Sequence, residues 1–120
     1  MRITYQIGDC DTREWGMWKV LSTGDNYIIK KITVLPHQIL SLQKHLYRNE
    51  HWMILQGQGI VTLGKNLLKV KKNDTVYIPK GKKHRIENRG KIPLIFIEIQ
   101  TGEILDENDI IRFEDKYGRI

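Results

Sequence analysis

Short apolar runs recur between turn signals along most of the chain. MWKVL, YIIKKITVL, HWMILQ, IVTL, LLKV, TVYI and PLIFIEIQ are rich in β-branched and aromatic residues, the side chains that suit a pleated, half-buried surface. Between them lie Thr23-Gly24-Asp25-Asn26, Gly57-Gln58-Gly59, Gly64-Lys65-Asn66, Lys72-Asn73-Asp74, Lys80-Gly81-Lys82 and Asn88-Arg89-Gly90. Strands at such spacing, with no long helical period, predict an all-β sandwich or small barrel. Gly59 to Val70 reads as strand, tight turn, strand. After Thr101 the composition changes to ILDENDIIRFEDKYGRI, acidic and then basic. Its Asp106–Arg112 portion is expected to form a short helical turn on the outside. No repeat, low-complexity tract or linker interrupts the pattern, so residues 1–120 are expected to form one domain, a length sufficient for a single core.

Alternation along the strands raises the first chemical questions. In YIIKKITVL, Lys30 shares a face with Ile28, Ile32 and Val34, so it enters the interior if that face is the buried one. A bulge would instead leave it exposed. Glu98 in PLIFIEIQ shares a face with Leu94, Phe96 and Gln100, while Ile95, Ile97 and Ile99 share the other. Either apolar set could form the core, so periodicity leaves Glu98 unplaced. A buried lysine or carboxylate beside a metal would be a candidate base.

Composition narrows the setting. Hydrophobic residues make up 40% of the chain, as for a folded globular protein. The single cysteine, Cys10, allows neither an internal disulfide nor a thiolate metal site, and fits a reducing, cytoplasmic compartment. No run reaches the ~18 apolar residues of a membrane span, and the N-terminus lacks a signal-peptide core. The net charge of +6 is spread along the chain without a basic helix or RNA-binding signature, so no nucleic-acid partner is expected. Lysines 65, 69, 71, 72, 80, 82 and 83 suit solvated strand edges and turns.

The densest chemistry lies in SLQKHLYRNEHW, residues 41–52. Gln43 and His45 project to one face of a strand, and Glu50 follows after a short turn. Far along the chain, PKGKKHRIEN places His84 just after a Pro-x-Gly turn. An amide oxygen, two imidazoles and a carboxylate make a plausible shell for a divalent ion such as Zn, Mn, Fe, Co or Ni. The bland alternative is a metal-free, hydrogen-bonded polar core. His51 alternates away from Glu50 and should face the other side of the sheet. Trp52 shares Glu50's face, as cavity wall or core, and Tyr47 is either a sugar contact or a surface turn residue.

The two segments resemble the paired motifs of the cupins. Here they read His37, five residues, Gln43-x-His45, four residues, Glu50, six residues, Gly57, and Asn73, five residues, Pro79-x-Gly81-x-x-His84, three residues, Asn88. His37 and Asn73 replace the leading glycines, and Gln43 replaces the first histidine. SLQ-x-H-x-x-R-x-EHW, YIP-x-G-x-x-H-R-x-EN, IPL-x-x-IE-x-Q-x-GE and EDxYGR are similar to one branch. That branch is the cupin domain of type II phosphomannose isomerases, often fused to a mannose-1-phosphate guanylyltransferase. The resemblance runs from Trp15-Gly16 to Arg119. It implies a double-stranded β-helix, or jelly-roll barrel, with one divalent metal on Gln43, His45, Glu50 and His84, and a catalytic role for Arg48. Family members carry a run of three histidines where this chain has His45-Leu46-Tyr47.

The activity this implies is interconversion of mannose 6-phosphate and fructose 6-phosphate, within carbohydrate metabolism and polysaccharide biosynthesis. Arg48 would grip phosphate or the enediolate, Lys30 or Glu98 would act as base, and Tyr47 and Trp52 would contact the sugar. With no Gly-rich nucleotide-binding segment before the cupin region, nucleotidyl transfer is not expected. The alternatives are a non-catalytic sugar- or sugar-phosphate-binding cupin, favoured by the missing imidazoles, or another cupin enzyme such as an epimerase or an iron oxygenase. Outward-facing Met53 and Leu55 would suit a homodimer.

Overall fold

The computed structural model describes residues 2–3 and 5–119. The N-terminal strands are β1 (Arg2–Ile3), β2 (Cys10–Arg13), β3 (Gly16–Gly24) and β4 (Tyr27–Val34). The central strands are β5 (Leu42–Lys44), β6 (Asn49–Gln56), β7 (Gln58–Leu63), β8 (Asn66–Lys71), β9 (Thr75–Ile78) and β10 (His84–Glu87). The chain closes with β11 (Leu94–Thr101), β12 (Ile104–Leu105) and β13 (Ile111–Glu114). Six strands form one sheet in the order β2-β3-β4-β11-β6-β9, and five form a second in the order β13-β5-β10-β7-β8. β1 and β12 make a small parallel pair.

Alternation decides which faces meet. Along β4, Ile28, Lys30, Ile32 and Val34 are buried while Tyr27 and Lys31 are exposed. Along β11, Leu94, Phe96, Glu98 and Gln100 are buried, and along β6, Glu50, Trp52 and Ile54. β11 runs between β4 and β6, which places Glu98 opposite Lys30 on one side and Trp52 on the other. The main core joins Trp52, Ile54, Phe96 and Leu94 of the six-stranded sheet to Val61 and Ile86 of the other. The region around Lys30 and Glu98 is polar instead. A cavity remains there, bordered by these polar groups and by the side chains of Tyr5, Trp15 and Trp18.

Gly59 to Val70 forms the expected hairpin, with β7 and β8 paired from Gln58–Lys71 to Leu63–Asn66. Gly64 turns it at a φ of +59°. His37 and Asn73, the two residues standing for motif glycines, have φ of +63° and +78°. They adopt the left-handed backbone that glycine adopts without strain, and Asn and His are among the side chains that tolerate it.

The expected helical turn at Asp106–Arg112 does not form, and no described residue is helical. Residues 106–110 make a turn closed by Asp109 N–H to Asp106 O at 3.0 Å. The chain then enters β13, which pairs with β5 through Ile111–Lys44 and Arg112–Gln43. Local composition favoured a helix, but the free edge of β5 offered a ladder of hydrogen bonds. It also offered anchors for Asp109, described below. No helix among the described residues is long and apolar enough to cross a membrane.

Candidate metal centre and its cavity

Glu50, on the inward face of β6, is 1% exposed and makes four polar contacts with three residues. Arg48 reaches its Oε2 with Nε and Nη2, both at 2.8 Å. Trp52 donates Nε1–H to its Oε1 at 2.9 Å. His45 Nε2 lies 3.1 Å from Oε2. Burial alone would raise the Glu50 carboxyl, but the guanidinium of Arg48 holds it well below the usual carboxylate range. The group is therefore an anion kept ionised inside the protein.

The two imidazoles are oriented from behind. His45 Nδ1 lies 2.7 Å from the carbonyl of Asp109, and His84 Nδ1 lies 2.8 Å from that of Lys82. A carbonyl only accepts, so both Nδ1 atoms carry the proton and, in the neutral rings, both Nε2 atoms present lone pairs. Burial, reinforced by His45, pushes the His84 pKa down against the pull of Glu50, which keeps that ring neutral. One ligand atom from each of His45, Glu50 and His84 can be chosen so that all lie within 4.8 Å of one another. Two imidazole lone pairs face a carboxylate at close range, with backbone carbonyls fixing the rings. That donor set fits a divalent transition ion.

Gln43 stands beside this cluster. It is directly opposite His84 in the β5–β10 pairing, so the two side chains leave the sheet on the same side. Its Nε2 donates to Ser41 Oγ at 3.1 Å and Ser41 O at 3.3 Å, which turns the amide oxygen away as the free acceptor.

A cavity of about 320 Å³ opens next to the cluster, lined in part by Tyr5, Lys30, Gln43, Arg48, Glu98 and Arg112. His45, Glu50 and His84 are not in its walls. Arg48 lies between, with its Nη2 also 3.2 Å from His45 Nε2. It is 8% exposed, and although burial would lower its pKa, the carboxylates of Glu50 and Glu98 raise it. Arg48 is thus the cationic floor joining cavity and cluster.

Lys30 enters the cavity, with Nζ 3.8 Å from the centre of the Tyr5 ring and 4.6 Å from that of Trp18. Burial lowers its pKa to about 8, with Glu98 opposing. Glu98 accepts a hydrogen bond from Gln100 Nε2 at 2.9 Å. Burial, and then the neighbouring Glu50 carboxylate, raise it to about 7. Both groups can gain or lose a proton near neutral pH.

Two expected sugar contacts fall elsewhere. Trp52 is core: it packs on Phe96 and His84 and buttresses Glu50, and it does not line the cavity. Tyr47 is half exposed and lies in a separate surface groove with Tyr27, Asn49 and Lys80. His51 faces outward against Tyr77, as alternation predicts. The residue that sequence reading missed is Asp109. Besides orienting His45, its carboxylate receives the N–H groups of Leu46 and Tyr47 at 2.8 and 3.0 Å. An Asx-type acceptor in an acidic turn was the available signal, but its target lies more than sixty residues away.

Residues 4–115 match the family described as mannose-6-phosphate isomerase C-terminal. The chain belongs to that family. Among curated relatives, it is 47% identical over 107 residues to the xanthan biosynthesis protein XanB of Xanthomonas campestris pv. campestris, 89% of this chain and 23% of that protein. It is 44% identical over 108 residues to the mannose-1-phosphate guanylyltransferase ManC of Salmonella typhimurium, 90% of this chain and 22% of that protein. To the alginate biosynthesis protein AlgA of Pseudomonas putida it is 46% identical over 107 residues, covering 89% and 22%. The chain thus spans less than a quarter of the length of these relatives.

Solved structures establish the fold of this family member as a cupin, or double-stranded β-helix. The capsular polysaccharide assembling protein CapF of Staphylococcus aureus superimposes with a TM-score of 0.75 at 21% identity, covering 92% of this chain and 33% of that one. A double-stranded β-helix protein of Klebsiella pneumoniae gives 0.71 at 17%, covering 81% and 83%.

The relatives correct the expected activity. Those named for a reaction, in Salmonella typhimurium and Escherichia coli among others, are mannose-1-phosphate guanylyltransferases. The assignment as a mannose 6-phosphate isomerase is overturned, and so is the exclusion of nucleotidyl transfer from its functional setting.

Proposed function

We propose that this chain is the cupin portion of mannose-1-phosphate guanylyl-transfer machinery, holding a divalent metal and a mannose phosphate for the synthesis of surface polysaccharide. The observation that carries this reading is 44% identity to a named guanylyltransferase over 90% of the chain. The cavity supports it, since its walls suit a phosphorylated sugar.

In this reading Gln43, His45, Glu50 and His84 hold the ion. When bound, it supplies a Lewis-acid site for a ligand's oxygen atoms. The chain's own residues do the rest. Arg48 keeps Glu50 ionised and offers its remaining guanidinium edge to the cavity. Lys30, capped by Tyr5 and Trp18, presents a positive charge to the ligand's oxygens. Glu98 holds a proton at its carboxyl near neutral pH and can give it to a hydroxyl or take it back. Tyr5 and Trp18 give the cavity an aromatic wall that excludes water from one side.

The test is to measure bound metal by mass spectrometry. Mannose 1-phosphate is then titrated calorimetrically into the chain with and without that metal, and guanylyl transfer from GTP is assayed alongside. Saturable, metal-dependent binding of mannose 1-phosphate is expected. No binding of mannose 1-phosphate by the metal-loaded chain, together with no effect on guanylyl transfer, would sink the reading.

A further inference from the structure

The cavity's charge does not balance. Five cationic side chains line it, Arg13, Lys30, Arg48, Arg112 and Arg119, against two acids, Glu98 and Glu107. Most of the cations are met. Arg48 is paired with Glu50, Arg119 with Asp115 at 2.7 Å, and Arg13 with Asp11. Lys30 has the electrostatic support of Glu98. Arg112 is different: its Nε is buried and has no hydrogen-bond partner among the described residues. Burial and the guanidinium groups of Arg119 and Arg13 pull its pKa down, with Asp115 alone opposing. A buried guanidinium donor without an acceptor is costly, and three neighbouring arginines repel one another. An anion between them removes both costs.

Register gives the site a direction. Arg112 of β13 is directly opposite Gln43 of β5, which is directly opposite His84 of β10. Directly paired residues leave a sheet on the same side, so Arg112, Gln43 and His84 form one row across the inner face. Arg112 and His84 stand two strand spacings apart, roughly 10 Å between backbones. A ligand with an oxygen at the His84 end and an anionic group at the Arg112 end would lie along Gln43. A phosphorylated monosaccharide has that shape and charge.

We propose that Arg112, flanked by Arg13 and Arg119, is an anion subsite that takes the phosphate of the cavity's ligand. The inference rests on the reading of the cavity as a sugar-phosphate site. It adds the residue that selects phosphate and the end of the cavity at which the phosphate sits. A planar guanidinium offers two parallel N–H donors to a phosphate, and a phosphate oxygen supplies the acceptor that the Arg112 Nε lacks.

The experiment titrates inorganic phosphate, mannose 1-phosphate and mannose separately into the full chain and into Arg112→Gln and Arg112→Lys, by calorimetry and by amide NMR. Arg112→Gln is expected to weaken inorganic phosphate and mannose 1-phosphate at least tenfold, leaving mannose unchanged. Arg112→Lys keeps the charge and loses the fork, so it should fall between. Its spectrum guards against misfolding of the glutamine variant. Phosphate affinity within twofold of wild type in folded Arg112→Gln overturns the subsite, as does a wild-type chain that binds neither phosphate nor mannose 1-phosphate. Arg112-dependent binding of inorganic phosphate without any preference for mannose 1-phosphate supports the subsite and overturns the sugar-phosphate reading of the cavity.

Discussion

Replacing Glu50 by glutamine removes a negative charge from one of the most enclosed polar positions in the protein. The carboxylate accepts two N–H groups of Arg48 on one oxygen and the Trp52 indole on the other. An amide can accept at only one end, so its NH₂ must confront either Arg48 or Trp52. Arg48, itself 8% exposed, is then left with Glu98 as its remaining carboxylate influence. Breaking a buried pair by removing one partner costs about 3–5 kcal/mol. A chain of 120 residues has a total stability of ~6–18 kcal/mol. Glu50→Gln should therefore lose a large share of it, read as a shifted urea midpoint by circular dichroism in EDTA, where metal plays no part. Arg48→Met combined with Glu50→Gln leaves no lone charge, and the pair should show a coupling of about 2 kcal/mol or more in a double-mutant cycle. A cost below about 1 kcal/mol for Glu50→Gln, or a coupling below about 0.5, would refute the account of the cluster as a charge network.

Other consequences are testable separately. A saturating divalent ion at a hundred times its Kd should stabilise the wild-type chain by about 2.7 kcal/mol, and His84→Ala should show neither this gain nor stoichiometric metal by mass spectrometry. Reductively ¹³C-methylated Lys30 should titrate near pH 8 by NMR, well below exposed lysines. Because the folded pKa lies below the unfolded value, this group's contribution to stability should rise with pH from about 8 to 10.5; titration of Lys30 with the surface lysines would contradict its burial. Asp109→Ala removes the acceptor for Leu46 and Tyr47, and should cost about 1–2 kcal/mol with faster hydrogen exchange at those two amides. Unchanged exchange there would show that the clamp is idle. Gly16→Ala would place a Cβ 1.9 Å from the Thr33 carbonyl at a φ of +150°, so unfolding should move to clearly lower urea concentration.

Much of the candidate ligand set was legible because its geometry is local. Gln43 and His45 are two apart on an extended segment, and Glu50 follows by a fixed count, so spacing carried most of the information. The glycine positions of the motifs were legible in the same way. His37 and Asn73 looked like departures in sequence, yet the backbone there keeps the left-handed turn that the motif requires. The assignment to an isomerase came from resemblance alone, and function is the property a fold specifies least.

The sequence by itself determined seven of the strands, β3, β4, β6 to β9 and β11, together with the hairpin from Gly59 to Val70 and which residues could serve as ligands, since alternation and turn chemistry act over a few residues. It could not choose between the two apolar faces of β11, because Leu94 and Phe96 compete with Ile95, Ile97 and Ile99 on equal terms. Pairing between β4 and β6 made that choice and put Glu98 opposite Lys30. It could not see Asp109 orienting His45, or Arg112 entering Gln43's row, because both depend on β13 reaching the edge of β5 from more than sixty residues away. Tertiary structure decided those contacts: a sheet edge left unpaired is satisfied by whichever segment the closed fold brings to it.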